Sequence, residues 1–293
     1  MRVSIWPGPV KTWNDIRATA RHADDTGWDG VYVMDHFMPP NDVTHPGDHP
    51  VIEAGSAVAA LAALMPRLRI GTLVLANTYR HPAVVANMAA TIDHISAGRF
   101  TLGLGAGWQA NEHEQYGIDL PAVGERIDRF AEAVQVVRGL LENTRTTFDG
   151  KYYRLNDATC EPKPVQERLP ILIGAAGEKR MLRIVAEHAD VWNCWGDPDL
   201  IAHKSAVLDR HCAEAGRDPG QIRRTAQALA VIDGAPPTGL PLPVIGGSVA
   251  KLAAAIDRYR AIGLDELIIP DVTLGQGAEK YKAMDVIRDL VQR

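Results

Sequence analysis

Arg69-Ile70-Gly71-Thr72-Leu73-Val74-Leu75 is a short run of apolar and β-branched residues; Pro82 opens a longer segment that continues to Ser96; and Phe100-Thr101-Leu102-Gly103-Leu104 follows, running into Gly105-Ala106-Gly107. The first and third pieces have the length and composition of buried strands, and proline at the first turn suits the start of the helix between them. A strand, a helix and a second strand in this order make the unit from which parallel sheets are built.

The unit recurs on both sides. Toward the N-terminus come Val3–Trp6, a helix capped by Thr12 with Trp13, Ile16, Ala20 and Ala23 at helical spacing, Gly30–Met34, and a helix over Ala54–Met65. Toward the C-terminus, Ile127, Phe130, Ala131, Val134, Val137, Leu140 and Leu141 mark one face of a long helix. A hairpin at Thr147–Tyr153 with a proline-rich return follows, then strands at Pro170–Ile173, Asp190–Trp195, Ile222–Ile232 and Glu266–Pro270. Helices over Lys179–His188, from Asp197-Pro198 to about Ala215, from Ser248 through Ile262 and over Glu279–Gln292 alternate with them. The sum is eight strand–helix pairs in 293 residues, which predicts an α/β fold: a single (β/α)8 TIM barrel over 1–293 with insertions near 146–166 and 234–247. An open doubly wound sheet uses the same alternation but rarely needs so many regular units without a second domain.

Composition narrows the function. A formal net charge of −5 argues against nucleic acid or an anionic membrane as the main partner. Three cysteines without C-x-x-C spacing fit a reducing compartment, and the longest apolar run, Ala57–Met65, is about half a membrane span. A cytoplasmic protein acting on a small molecule is the expectation. His45-Pro46-Gly47-Asp48-His49 has ligand-type residues but neither H-E-x-x-H nor H-x-H spacing, so no metal is expected.

In a barrel of this kind the active site lies at the C-terminal ends of the strands. Those ends carry Trp6, Asp35-His36, Ala76-Asn77-Thr78-Tyr79-Arg80, Gly105-Ala106-Gly107-Trp108 followed by Gln109-Ala110-Asn111-Glu112, Gly174-Ala175-Ala176-Gly177, Asn193-Cys194-Trp195 and Asp271. The set is rich in indoles, amides and small residues, and suits a flat aromatic ligand better than a metal. His36 can move a proton near neutral pH. Asp35 and His36 point to opposite faces of a strand, so Asp35 is expected to serve another partner. Gly103-Leu104-Gly105-Ala106-Gly107 lacks the helix that a dinucleotide fingerprint requires; its glycines either let a planar ring approach or relieve crowding inside the barrel. Gly174–Gly177 joins a strand to a helix, where backbone N–H groups can hold a phosphate. Cys194 is read as an inert buried thiol, and Trp195 rather than Trp192 as the indole that reaches the mouth.

Four stretches together resemble the luciferase-like monooxygenase superfamily, in particular its branch of coenzyme F420 (deazaflavin)-dependent oxidoreductases. They are Gly30–Phe37, Ile70–Pro82, Gly98–Trp108, and Pro170–Lys179 continuing to Ala189–Asn193. The resemblance implies a bacterial-luciferase-like barrel with F420 at the strand ends, or FMN as the alternative. It implies a bulge with a non-proline cis peptide at Leu73-Val74, Val74 lying behind the ring. Asp35, Ala76, Gly107, Trp108 and Asn111 would contact the cofactor, and Gly174, Ala175, Ala176 and Gly177 would hold its phosphate. His36 would face a substrate walled by Trp6, Asn77 and Trp195. Some sugar-phosphate dehydrogenases of the branch carry an acid where this chain has Trp108, which argues against that substrate and for an uncharged or aromatic one. The implied reaction is hydride transfer between the deazaflavin C5 and a small organic molecule, with His36 assisting proton transfer. An FMN- and O2-using monooxygenase is the alternative, and a non-catalytic flavin-binding barrel the second. Family members are often dimers, so a homodimer is expected by analogy.

Overall fold

The computed structural model describes residues 1–39, 49–235, 239 and 242–293. In chain order the first half runs β1 (Arg2–Trp6), α1 (Trp13–Thr26), β2 (Gly30–Val33), α2 (Ala54–Leu64), β3 (Arg69–Thr72), β4 (Leu75–Ala76), α3 (Pro82–Ser96), β5 (Phe100–Gly105), α4 (Ala110–Tyr116) and α5 (Val123–Glu142). The second runs β6 (Thr146–Asp149), β7 (Arg154–Ala158), β8 (Ile171–Gly174), α6 (Met181–His188), β9 (Val191–Trp195), α7 (Pro198–Glu214), β10 (Arg223–Gln227), β11 (Leu229–Val231), β12 (Val244–Gly246), α8 (Val249–Ala261), β13 (Glu266–Pro270) and α9 (Gly277–Gln292). The strand order β3-β2-β1-β13-β10-β9-β8-β5 closes because β5 pairs back with β3, and β4 carries the β3 position on beyond a break. Every barrel pairing is parallel. This is the (β/α)8 barrel.

Local chemistry sets the boundaries. Thr12 and Asp15 form a capping box at the start of α1, and Gly27, at φ +87°, ends that helix in the left-handed conformation that glycine adopts without strain. Asp197 accepts from Leu200 N–H at 2.9 Å, and Pro198, which has no N–H to satisfy, takes the first position of α7, so two of the terminus's orphan donors are dealt with. Alternation along the strands divides the apolar side chains into two cores. Val3, Ile5, Val31, Ile70, Leu102, Ile171, Ile173, Trp192 and Ile269 face the helices, while Tyr32, Leu73, Leu172, Val191 and Ile268 fill the barrel interior with Trp6 and Val74 packed against them. Each such aliphatic side chain contributes about 1.5–3 kcal/mol by leaving water.

The run read as one strand over Arg69–Leu75 carries the break that the resemblance implied: the Leu73–Val74 peptide is cis, and pairing resumes only at Leu75. Two features depart from the expected elements. The strand expected over Ile222–Ile232 splits after Gln227; its second half leaves the barrel as β11 and pairs in parallel with β12, which lies inside the expected Gly234–Gly247 loop. The polar helix α4 was not expected, because seven residues of the composition Ala-Asn-Glu-His-Glu-Gln-Tyr offer no apolar stripe to read. His45–Asp48 lie outside the described residues.

Candidate active site

His36 follows β2 at the C-terminal end of the barrel, and its Nδ1 lies 2.8 Å from Oε1 of Glu112 on α4. Glu112 is fully buried; its Oε2 accepts the Phe37 N–H at 2.8 Å, and the Tyr79 hydroxyl donates to Oε1. Burial opposes ionisation of this carboxyl, but the hydrogen bonds from His36, Tyr79 and Phe37 outweigh it and hold the group below the usual glutamate range. Tyr79 moves the other way: burial, then the bond to Glu112, keeps its hydroxyl protonated. An ionised carboxylate can only accept, so the ring proton of a neutral His36 sits on Nδ1 and Nε2 presents a lone pair. Nε2 has no partner among the described residues.

Asp35, next along the chain, turns away. Its buried carboxylate takes a forked pair of bonds from Arg80, at 2.7 and 3.0 Å, and the Ala76 N–H at 2.9 Å. Arg80 is shared with Glu53, the cap of α2. With both oxygens engaged, Asp35 anchors the exit of β4.

The break at Leu73–Val74 pushes the Val74 side chain across the barrel end. A Cβ placed on Gly105 would lie 2.6 Å from a Val74 methyl, and one on Gly174 would lie 3.1 Å from the other. At Gly103 it would lie 1.9 Å from the Thr72 carbonyl oxygen. Of the two readings of this glycine run, relief of crowding holds at Gly103 and Gly105: they make room for β3 and for Val74. Above this floor stand Trp6 and Trp195, ring centroids 6.1 Å apart and edge to face, and Trp108, 66% exposed with its ring 5.5 Å from His36. Trp6 Nε1 is buried and has no hydrogen-bond partner among the described residues. Asn77 donates to the Tyr153 hydroxyl at 3.2 Å, and the Gly107 carbonyl accepts from Arg126 at 2.7 Å. Asn111 bonds the Pro39 carbonyl at 3.0 Å and its own helix start, tying α4 to the loop after His36.

After Gly174 the Ala175 N–H goes to Asn193, while the N–H groups of Ala176, Gly177 and Glu178 have no acceptor among the described residues. They lie ahead of α6, and Lys204 steadies the turn through the Ala176 carbonyl and the Glu178 carboxylate. Cys194 is buried, and burial pushes its thiol up to about 11, which makes it a poor nucleophile. Trp192 is on the outer face, bonded to the Ala175 carbonyl. Among the described residues no group of three or more His, Cys, Asp and Glu could hold a metal, and no helix is long and apolar enough to cross a membrane.

The structure thus brings His36, Trp108, Val74, Trp6 and Trp195 to one end of the barrel. It gives Glu112, Tyr79 and Arg80, which the sequence placed among the strand-end residues without a role, their partners. Glu112 is 76 residues from His36, and no local pattern signals that pairing.

Comparison with known proteins agrees with this architecture. The luciferase-like monooxygenase family profile matches residues 1–236. The chain belongs to that family of enzymes. Its relatives include an F420-dependent glucose-6-phosphate dehydrogenase of Microbacterium testaceum, 36% identical over 67% of this chain and 57% of the relative. The pyrimidine monooxygenase RutA of Cronobacter sakazakii is 36% identical over 58% of this chain and 51% of its own. The chain therefore spans little more than half the length of these relatives. An F420-dependent secondary alcohol dehydrogenase, solved with an F420–acetone adduct, shares the fold at a TM-score of 0.85 and 20% identity, over 99% of this chain and 98% of its own.

Proposed function

We propose that the protein is an F420-dependent oxidoreductase acting on a small, uncharged organic substrate. Three observations fit the chain to such a cofactor. Val74 and Leu73 form a projecting apolar floor that can back a planar ring, and, among the described residues, the N–H groups of Ala176, Gly177 and Glu178 and the buried Trp6 N–H have no acceptor. Gly107, Trp108, Asn111 and Ala76 border the ring in this reading, Gly174 and Ala175 shape the phosphate turn, and Trp6, Asn77 and Trp195 wall the substrate. Asp35 acts behind them, through Arg80 and Ala76.

When bound, a deazaflavin supplies a carbon centre, C5, that takes up or delivers hydride and lacks the nitrogen through which flavins activate oxygen. The chain's own part is to exclude water and handle the proton. His36 Nε2 removes the proton of a substrate hydroxyl in oxidation and returns it in reduction. Glu112 stabilises the imidazolium so formed and fixes the tautomer. The His36–Glu112 contact carries this proposal. Trp108 beside His36 places an exposed indole, rather than a carboxylate, against the substrate. That favours an uncharged molecule over a sugar phosphate.

The test is a pair of fluorescence titrations of the purified protein, with F420 and with FMN, followed by turnover with a panel of alcohols and ketones. Binding of F420 and reversible reduction are expected. The second reading, an FMN-dependent monooxygenase, draws on the likeness to RutA and on a phosphate turn that suits either cofactor. Tight FMN binding with no response to F420 establishes it and overturns the first.

A further inference from the structure

A cavity of about 330 Å3 opens beside the mouth, lined by Asn77, Tyr79, Arg80, Arg126, Arg129 and Tyr153, with Asp119 and His81 at its edge. Its three arginines differ in state. Arg80 is neutralised by Asp35 and Glu53, and Arg129 by Glu125. Arg126 has no carboxylate within 4.0 Å among the described residues: one Nη bonds the Gly107 carbonyl, and its Nε is buried with no partner at all. A guanidinium carries five donors and a charge that it cannot lose; in this half-buried side chain the buried Nε is an unmet donor, and a bound anion would complete the fork.

A second observation points the same way. Arg126 stands near the start of the 20-residue helix α5, whose cap, Ala122, offers no side chain to the first N–H groups. That end of a helix bears about half a positive charge, which disfavours a cation. Glu125 offsets part of this but is committed to Arg129. An uncapped positive terminus and an unpaired arginine around one cavity are both relieved by a bound anion. Asp119, on the rim and exposed, opposes it without reaching Arg126.

We propose that Arg126 binds a carboxylate of the oligoglutamate tail of F420. This rests on the F420 reading and extends it. FMN ends at its phosphate, for which the Ala176–Glu178 turn suffices; F420 carries further acids beyond its own. The cavity shares Asn77 with the mouth, and its Arg126 bonds the carbonyl of Gly107 just past the end of β5, so it lies within reach of a chain leaving the bound ring.

The experiment measures Kd by fluorescence for F420 with its glutamates, for the same cofactor lacking them, and for FMN. Wild type, Arg126→Met and Arg126→Lys are compared, all as the full chain. Arg126→Met is expected to weaken the tailed cofactor about tenfold and leave the tail-free form within about twofold, with Arg126→Lys recovering part of the loss. Equal weakening of both forms places Arg126 at the phosphate or in folding and overturns the tail site. Unchanged affinity for the tailed form does so too, as does a shift confined to substrate KM. A wild type that binds FMN but not F420 overturns the cofactor reading itself, whereas one that binds both forms of F420 equally overturns only the tail site.

Discussion

Replacing Glu112 with glutamine keeps the shape of the buried side chain and removes its charge. The carboxylate accepts three hydrogen bonds, from His36 Nδ1–H, Phe37 N–H and the Tyr79 hydroxyl. An amide has one accepting oxygen and an NH2 that must face one of those donors, so at least one bond is lost or reversed. A hydrogen bond between charged partners contributes about 1.5–3 kcal/mol and a neutral one about 0.5–1.5. The imidazolium of His36 therefore loses about 1–2 kcal/mol, a factor of about 5–30 in the step in which it carries the extra proton. Glu112→Gln is expected to lower kcat about tenfold while KM and cofactor Kd stay within about twofold. Single-turnover reduction of bound cofactor under anaerobic conditions reads the step directly. If kcat is unchanged, His36 does not depend on Glu112 and the proton-handling scheme fails. If Kd rises in proportion to the loss of rate, Glu112 only supports the fold.

Three further outcomes follow from the same contacts. His36→Ala should cut kcat by about 10²–10⁴ with cofactor Kd retained, as measured by steady-state kinetics and titration; retained turnover removes His36 from the chemistry. Gly105→Ala sets a methyl 2.6 Å from Val74 and should cost about 1–3 kcal/mol, seen as a lower Tm, together with weaker cofactor binding as Val74 shifts; a wild-type Tm shows that the floor can yield. Glu53, Glu112 and Asp190 all have carboxyls held below their ordinary range against the opposing effect of burial, so each stabilises the fold above its unfolded-state pKa of about 4, and that stability goes as pH falls through the lower folded value. Tm should begin to fall below about pH 6.5, where the imidazole of His188, held by burial below its ordinary range, is charged in the unfolded chain first, and should drop further below about pH 4; Glu112→Gln should lessen the second drop.

The parts of the fold that the sequence displayed are those where local chemistry and tertiary need agree. Pro82, Asp197-Pro198 and Thr12 mark helix starts because caps and first-turn prolines act within a few residues of themselves. Buried parallel strands show as apolar runs for the same reason. The division of Ile222–Ile232 into β10 and β11 leaves no such mark, since both halves are apolar and only their partners differ. Helix α4 is held by Gln109, Asn111 and Glu112 reaching Met38, Pro39, His36 and Phe37, contacts spanning about seventy residues that no periodicity can announce. His36 could be singled out as a titratable group at a strand end; the group that sets its tautomer could not.

The Asp35-His36 pair, just beyond the end of β2, divides two tasks between adjacent side chains. The two have separate partners and do not serve each other directly. Asp35 instead grips Ala76 N–H and Arg80, and so fixes the segment that follows the Val74 break. Tyr79, within that segment, donates to Glu112, and Glu112 holds His36. The dipeptide is thus joined to itself through a loop of contacts: one residue locks the exit of β4, and that exit supports the acid that orients the other. Asp35→Asn would leave Arg80 short of a charge in a buried setting, where breaking such a pair costs about 3–5 kcal/mol, and Glu53 alone would have to hold it. Its effect on catalysis should then arrive through Tyr79 and Glu112. A double variant, Asp35→Asn with Glu112→Gln, should lose much less rate than the product of the single losses. Independent losses would mean that Asp35 acts on a bound ligand directly, as the family resemblance first implied.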